Sequence, residues 1–119
     1  MLKIYTLSNC TSCREAVKWL RAQAIAFEER AIRVTPPTPA ELRTMLAAQG
    51  GEVRRLFNTS GRDYRELKLG ERMPDLTAAA AIALLAANGN LVKRPFVVGA
   101  DAALVGFNDA AWAKALLPR

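Results

Sequence analysis

Cys10 and Cys13 are the residues whose types and spacing predict chemistry most directly. They are the only two cysteines, they stand three positions apart, and the chain contains no histidine. In a reducing compartment, a close pair of this kind is more typical of catalysis, redox sensing or metal binding than of a permanent disulfide. Two thiolates leave a tetrahedral zinc ion two ligands short, so we do not expect a structural zinc site within one chain. The pair therefore predicts thiol–disulfide chemistry.

The segment before the pair predicts that Cys10 lies at the start of a helix. Residues 2–7 are a short apolar run typical of a buried strand, and Ser8-Asn9 predicts a turn. At a helix N-terminus, unpaired backbone N–H groups and the helix dipole stabilise an anion, so a cysteine there has a lowered pKa. We expect Cys10 to be the attacking thiolate and Cys13, one turn inside the helix, to resolve a mixed disulfide.

Small polar residues separate the two thiols. The hydroxyl groups of Thr11 and Ser12 can donate hydrogen bonds to a thiolate or cap the helix. The alternative interpretation is that Cys10 and Cys13 are small apolar residues that only pack. Their position beside a turn favours the redox interpretation.

Arg94-Pro95 is the second feature that suggests chemistry. The dipeptide precedes a short apolar run, Phe96-Val97-Val98, which predicts a buried strand. An arginine at this place could bind an oxyanion or add positive charge beside the thiolate. The alternative is an ordinary proline at a strand start, with a solvated arginine before it.

The order of the predicted strands and helices indicates an α/β fold with a helical block inserted midway. Further strands are predicted at 26–32 and 103–106, and further helices at 38–49, 52–57, 62–69, 75–87 and 109–117. The crossover after the first strand is long enough to make the first two strands parallel, and the last two strands predict a hairpin. We interpret the chain as one domain, with a core over 1–34 and 91–119 and an inserted helical subdomain over 35–90.

Composition and charge exclude several classes of function. The net charge is +6, but the basic residues are scattered and form no run interleaved with aromatic residues, so direct DNA binding is not expected. The chain contains no run of 18 or more apolar residues, which predicts no membrane span. Its first residues lack the pattern of a signal peptide, which predicts a cytoplasmic protein. No tightly bound cofactor is expected.

Several motifs together resemble one known family. They are Asn9-Cys10-Thr11-Ser12-Cys13-Arg14, Leu56-Phe57-Asn58-Thr59-Ser60-Gly61, Lys93-Arg94-Pro95 and Val105-Gly106-Phe107-Asn108. The chain resembles the glutaredoxin-like arsenate reductases (ArsC) and their relatives, the Spx regulators and the YffB-like proteins. The opening motif, with its C-T-S-C, is most similar to Spx, and the middle motif is most similar to the YffB-like proteins.

The resemblance implies a thioredoxin-like, glutaredoxin-type mixed sheet with an inserted helical subdomain. It also implies an attacking cysteine at Cys10, an anion-binding arginine at Arg94 and a cis peptide bond before Pro95. Asn58 stands where arsenate reductases carry a further arginine, and Arg62 is the residue that could replace it. Asn9, Thr11, Ser12, Asn58, Arg62 and Pro95 complete the expected substrate-binding or anion-binding set.

Two functions follow from the resemblance. The first is a reductase that acts on a small thiol or an oxidised thiol, with glutathione as co-substrate and glutaredoxin or thioredoxin as partner proteins. The second is an Spx-like redox-sensing transcriptional regulator that binds the C-terminal domain of the RNA polymerase α-subunit. A third alternative is a member of the fold that has lost its activity, since architecture alone does not determine function.

Overall fold

A computed structural model describes residues 1–99 and 101–118 of the chain. Within them, four strands form one mixed sheet in the order β2-β1-β3-β4. The strands are β1 (Leu2–Thr6), β2 (Phe27–Ala31), β3 (Phe96–Gly99) and β4 (Ala102–Val105). β1 is parallel to β2 and antiparallel to β3, which pairs antiparallel with β4. The predicted parallel pair and hairpin are confirmed; Ala100, in the predicted turn of that hairpin, lies outside the described residues.

The helices of the described residues follow the predicted order. They are α1 (Thr11–Ala22), α2 (Pro39–Ala48), α3 (Arg62–Glu66), α4 (Leu69–Arg72), α5 (Ala78–Ala87) and α6 (Asp109–Leu116). Short 3₁₀ turns lie at Val53–Leu56, Met73–Asp75 and Gly89–Leu91. No helix among these residues combines the length and the apolar character that a membrane crossing requires.

Two of the predicted helices have different bounds. The helix expected over 62–69 is broken into α3 and α4 because Lys68 adopts a left-handed conformation, with φ at 53°. The helix expected from residue 75 starts at Ala78, since the Thr77 hydroxyl accepts the backbone N–H of Ala80 and so caps the helix. Both boundaries depend on single-residue backbone choices, which periodicity does not report.

The start of α2 has the form that its sequence predicts. The Thr38 hydroxyl accepts the backbone N–H of Glu41 at 3.1 Å, and the Glu41 carboxylate accepts the backbone N–H of Thr38 at 3.0 Å. This reciprocal capping box satisfies two donors that a helix start otherwise leaves unpaired. Glu41 also accepts hydrogen bonds from Tyr5 at 2.6 Å and from Lys3 at 2.9 Å, which ties α2 to β1.

The sheet is covered on both faces because side chains of successive strand residues point to opposite sides. Ile4 packs with Leu20 of α1 and Trp112 of α6 on one face. Its neighbour Tyr5 packs on the other face, in a core built mainly by residues of the helical segment between β2 and β3, among them Leu42. The mixed α/β fold with helices is as predicted, whereas the division into a core and an inserted subdomain stays a prediction.

This layering brings two chain segments to one end of the sheet. The parallel strands β1 and β2 both end there. The segment after β1, which leads to Cys10, therefore lies beside the segment after β2. β3 is antiparallel to β1, so its first residue, Phe96, pairs with Tyr5 near the same end. Arg94 and Pro95, directly before β3, therefore lie beside the start of α1.

Candidate active site

Cys10 is the N-cap residue of α1. Its backbone is extended, with φ at −97° and ψ at 114°, and its own N–H donates to the Leu7 carbonyl at 3.1 Å. The Cys10 sulfur occupies the position where a serine or aspartate usually caps a helix, and it accepts the backbone N–H of Cys13 at 3.2 Å. The Ser12 hydroxyl lies 3.3 Å from the same sulfur. A thiolate at Cys10 can therefore accept hydrogen bonds from both groups.

The two thiols have opposite protonation preferences. Burial alone would raise the pKa of the Cys10 thiol; hydrogen bonds from Cys13 and Ser12, together with the charge of Arg94, outweigh it and lower this pKa below its ordinary value. Burial and the hydrogen bond with the Cys10 sulfur raise the pKa of Cys13 to about 12. Cys13 is only 2% exposed, whereas Cys10 is partly exposed. The expected assignment of attacking and resolving thiol fits this difference.

Arg94 and Cys10 line the same cavity, which has a volume of about 410 Å³. The segment before Arg94 is fixed, because the Lys93 N–H donates to the Leu56 carbonyl at 2.8 Å. The Arg94–Pro95 peptide bond is cis, as the resemblance implies, and Pro95 is buried, its carbonyl accepting the N–H of Gly106 at 2.9 Å.

One guanidinium nitrogen of Arg94 lacks a protein partner. Its Nη1 atom is buried and makes no hydrogen bond with any of the described residues. Buried polar groups are nearly always hydrogen-bonded, and buried charges are usually paired. An unpaired cationic donor beside a thiolate suits an anionic ligand.

The structure brings three of the six other predicted binding residues to this cavity. Asn9, Ser12 and Asn58 line it together with Cys10 and Arg94. Thr11 does not line it; this residue is exposed and its hydroxyl accepts a hydrogen bond from Arg14.

Arg62, which the sequence predicts as a binding residue, does not lie in the cavity of Cys10. It lines a neighbouring cavity of about 300 Å³, which shares Asn58 and Arg94 with the first. It does not line the cavity that holds Cys10, so it does not take the place of an arginine at position 58 beside the sulfur.

Arg33 and Lys93 are site residues that the sequence interpretation missed. Arg33 lines both cavities and Lys93 lines the cavity of Cys10. A signal for Arg33 was available: it follows the second of two parallel strands, and the carboxyl ends of parallel strands meet at one edge of a sheet. The scattered positions of the arginines along the chain concealed it.

The geometry suits nucleophilic sulfur chemistry on an anionic substrate. A partly exposed thiol with a lowered pKa is a competent nucleophile, and a protonated thiol follows one helical turn later. Among residues 1–99 and 101–118, no three potential ligands of the types His, Cys, Asp and Glu are grouped to hold a metal ion.

Comparison with known proteins finds relatives that match over most of this chain. The Bacillus subtilis protein YusI, described as uncharacterized, is 35% identical over 108 residues, which cover 91% of this chain and 92% of YusI. The global transcriptional regulator Spx 2 of Lactococcus lactis is 30% identical over 119 residues, 100% of this chain and 88% of the regulator.

A solved structure shares the fold. A Streptococcus mutans protein, described as "a possible arsenate reductase", is 34% identical with a TM-score of 0.84, and the match covers 91% of this chain and 92% of that one. A sequence model of the ArsC family matches residues 5–115. The resemblance noted in the motifs is confirmed, and this chain belongs to the ArsC family.

Proposed function

We propose that this chain is a thiol–disulfide oxidoreductase in which Cys10 is the nucleophile, Cys13 the resolving thiol and Arg94 the holder of an anionic substrate or intermediate. The observation that carries the proposal is the shared cavity of Cys10 and Arg94. The Cys10 thiol has a lowered pKa, to which the charge of Arg94 contributes, and the buried Nη1 atom of Arg94 has no partner among the described residues.

In the first step the Cys10 thiolate attacks one sulfur of a disulfide substrate. A bond forms between the Cys10 sulfur and that sulfur, the substrate S–S bond breaks, and the other half leaves as a thiolate. Arg94 stabilises negative charge on the substrate, because a charged guanidinium hydrogen bond is stronger than a neutral one.

In the second step Cys13 attacks the Cys10 sulfur of the mixed disulfide. The bond to the substrate breaks, the substrate leaves as a second thiolate, and a Cys10–Cys13 disulfide remains. Cys13 must first lose its proton, either to the thiolate released in the first step or to water. The negative charge of Cys10, which contributes to the high pKa of Cys13, has gone by then, so deprotonation becomes easier.

Two electrons pass from the cysteine pair to the substrate, and an external thiol must return them. We propose two molecules of glutathione, or one dithiol protein such as glutaredoxin or thioredoxin, as the reductant. Such thiols are maintained in the cytoplasm, where we propose that the protein acts.

Turnover of the Cys10→Ser and Cys13→Ser variants tests the mechanism. The substrates would be a glutathionylated peptide, a neutral disulfide and arsenate, each with glutathione as reductant. We expect Cys10→Ser to lose activity by at least about 100-fold, because the nucleophile is lost. We expect Cys13→Ser to form a mixed disulfide at Cys10 that mass spectrometry detects. Equal turnover in the wild type and Cys10→Ser would overturn the proposal.

A second candidate function is a redox-sensing regulator that binds RNA polymerase. The observation that favours it is the similarity to Spx 2 over the whole of this chain, together with the C-T-S-C motif at Cys10 and Cys13. In that role, the disulfide between the two cysteines would control a protein contact.

A pull-down with the C-terminal domain of the polymerase α-subunit separates the two functions. The regulator would bind this domain in one redox state and more weakly in the other. A reductase would bind it in neither state while turning over a disulfide. Binding without turnover would favour the regulator.

A further inference from the structure

The turn Asn88-Gly89-Asn90 packs against the backbone directly after β2. Gly89 is buried, and a Cβ atom added to it would lie 1.9 Å from the carbonyl oxygen of Ile32. Only a glycine can approach another backbone so closely. The contact places the residue after Gly89 directly beside the residue after Ile32, and these residues are Asn90 and Arg33.

A chain of polar contacts fixes Asn90 in this place. Its backbone N–H donates to the Asn88 side chain at 3.0 Å, and its amide NH₂ donates to Asp63 at 3.2 Å. The same Asp63 oxygen accepts the amide of Asn88 at 2.9 Å. These two amide donors are the main reason that the pKa of Asp63 is lowered, so the carboxylate is charged and holds both asparagines.

Asn90 in turn holds Arg33. The Asn90 side-chain oxygen accepts the Arg33 Nε–H, which fixes the plane of the guanidinium group. The hydrogen bond uses one of the five N–H donors of the arginine, so the four donors of its two terminal nitrogens are not used by Asn90. Arg33 lines the two adjoining cavities, and in both cases Arg94 lines them with it.

We propose that Arg33 is a second anion-binding residue of this site and that Asn90, anchored by Asp63, is its positioning residue. Two arginines then line the cavity of Cys10: Arg94, whose buried Nη1 atom has no partner among the described residues, and Arg33, which is exposed. The substrate class that fits is a thiol or disulfide that carries a carboxylate or an oxyanion within a few atoms of the sulfur. This inference rests on the proposed function, because it names the substrate of the same thiol.

Alkylation of Cys10 by two matched reagents tests the inference without turnover. Iodoacetate carries a carboxylate next to the reacting carbon, and iodoacetamide is its neutral counterpart. The rate with iodoacetate divided by the rate with iodoacetamide therefore reports the positive potential at the sulfur. We expect Arg33→Ala to lower this ratio about threefold, and Arg33→Lys, which keeps the charge, to lower it less. Arg43→Ala removes an exposed arginine that lines neither cavity and should leave the ratio unchanged.

A double-mutant cycle tests the role of Asn90. We expect Asn90→Ala to lower the ratio in the wild type and to have no further effect when Arg33 is already alanine. Thermal unfolding of each variant confirms that it is folded, and Asn90→Ser serves if the alanine variant is not.

Two results would overturn the inference: an unchanged ratio in Arg33→Ala, or an Asn90 effect of equal size in both backgrounds. Either leaves the reductase proposal intact if Cys10→Ser remains inactive. Failure of the reductase proposal appears instead as equal turnover in Cys10→Ser.

Discussion

The backbone N–H of Cys13 donates to the sulfur of Cys10 across 3.2 Å. One cysteine thereby caps the helix that carries the other, so the same contact that starts α1 also stabilises the negative charge on Cys10. Formation of the helix therefore supplies one of the hydrogen bonds that lower the pKa of Cys10.

The Ser12 hydroxyl should contribute to this activation in a separable way. We expect Ser12→Ala to raise the pKa of Cys10, because the hydroxyl 3.3 Å from the sulfur is lost. At a pH below the pKa of Cys10 in the wild type, alkylation of Cys10 in Ser12→Ala should be slower than in the wild type by about 3- to 10-fold. Thr11→Ala is the matched control, since the Thr11 hydroxyl is bound to Arg14 and not to Cys10. Equal slowing in both variants would contradict a specific role for Ser12.

Cys13 predicts how stability changes in alkaline solution. Its pKa rises from an ordinary value of 9.0 to about 12 on folding. Below pH 9.0 the thiol is protonated in both states; above it the unfolded chain loses this proton and the folded chain keeps it, so the free energy of unfolding falls as pH rises. The contribution of Cys13 falls by at most about 1.4 kcal/mol per pH unit.

Chemical unfolding at pH 8 and pH 11 measures this contribution when the wild type is compared with Cys13→Ala. The alanine variant lacks the titrating group but keeps every other one, so its stability should fall less between the two values. An identical fall in both proteins would show that Cys13 is not protected from ionisation.

Glu41 predicts a loss of stability in acid. Burial opposes its ionisation, but hydrogen bonds from Tyr5, the Thr38 backbone and Lys3 lower its pKa below the ordinary value of 4.5. The stabilisation is complete above pH 4.5 and is lost as pH falls through the folded pKa. We expect Glu41→Gln to lower the free energy of unfolding at pH 7 by about 1–3 kcal/mol, with a smaller difference at pH 3.

Denaturant titrations at the two pH values check this prediction. Glu15→Gln, a change of the same type at an exposed position of α1, should have little effect at either pH. A difference between wild type and Glu41→Gln that stays constant from pH 7 to pH 3 would contradict the assigned ionisation.

A single methyl group added at Gly89 should lower the stability of the protein strongly. We expect Gly89→Ala to cost at least about 2 kcal/mol of stability, because the new Cβ would lie 1.9 Å from the Ile32 oxygen. Gly70→Ala is the control: its Cβ would meet nothing closer than 3.8 Å, so the change should be neutral or stabilising by up to about 1 kcal/mol. Thermal unfolding compares the two, and similar midpoints would contradict the close backbone contact.

Much of the fold could be predicted from local pattern. The apolar run before Cys10, the capping box at Thr38 and the asparagine before α6 each determine an element with short-range chemistry, and the structure has these elements where they were expected. The break at Lys68 was missed because an ordinary residue adopts a left-handed backbone there, which its type does not reveal.

The site could be predicted only where a motif marked it. Cys10 and Arg94 stand in recognisable motifs, and both line one cavity. Arg33 has no motif of its own; it reaches the site through the parallel pairing of β1 and β2 and through Asn90, which lies 57 positions later in the sequence. Contacts over such separations depend on the packed fold.

The pH dependence of Cys10 alkylation measures whether the folded protein stabilises the Cys10 thiolate. The rate of iodoacetamide labelling would be followed by mass spectrometry on the native protein, with Cys10→Ser to show that the buried Cys13 does not contribute. We expect a half-maximal rate at a pH below 9.0, the ordinary pKa of a cysteine thiol. A midpoint at or above 9.0 would mean that the helix start and Arg94 do not stabilise the thiolate, and would contradict the proposed activation of Cys10.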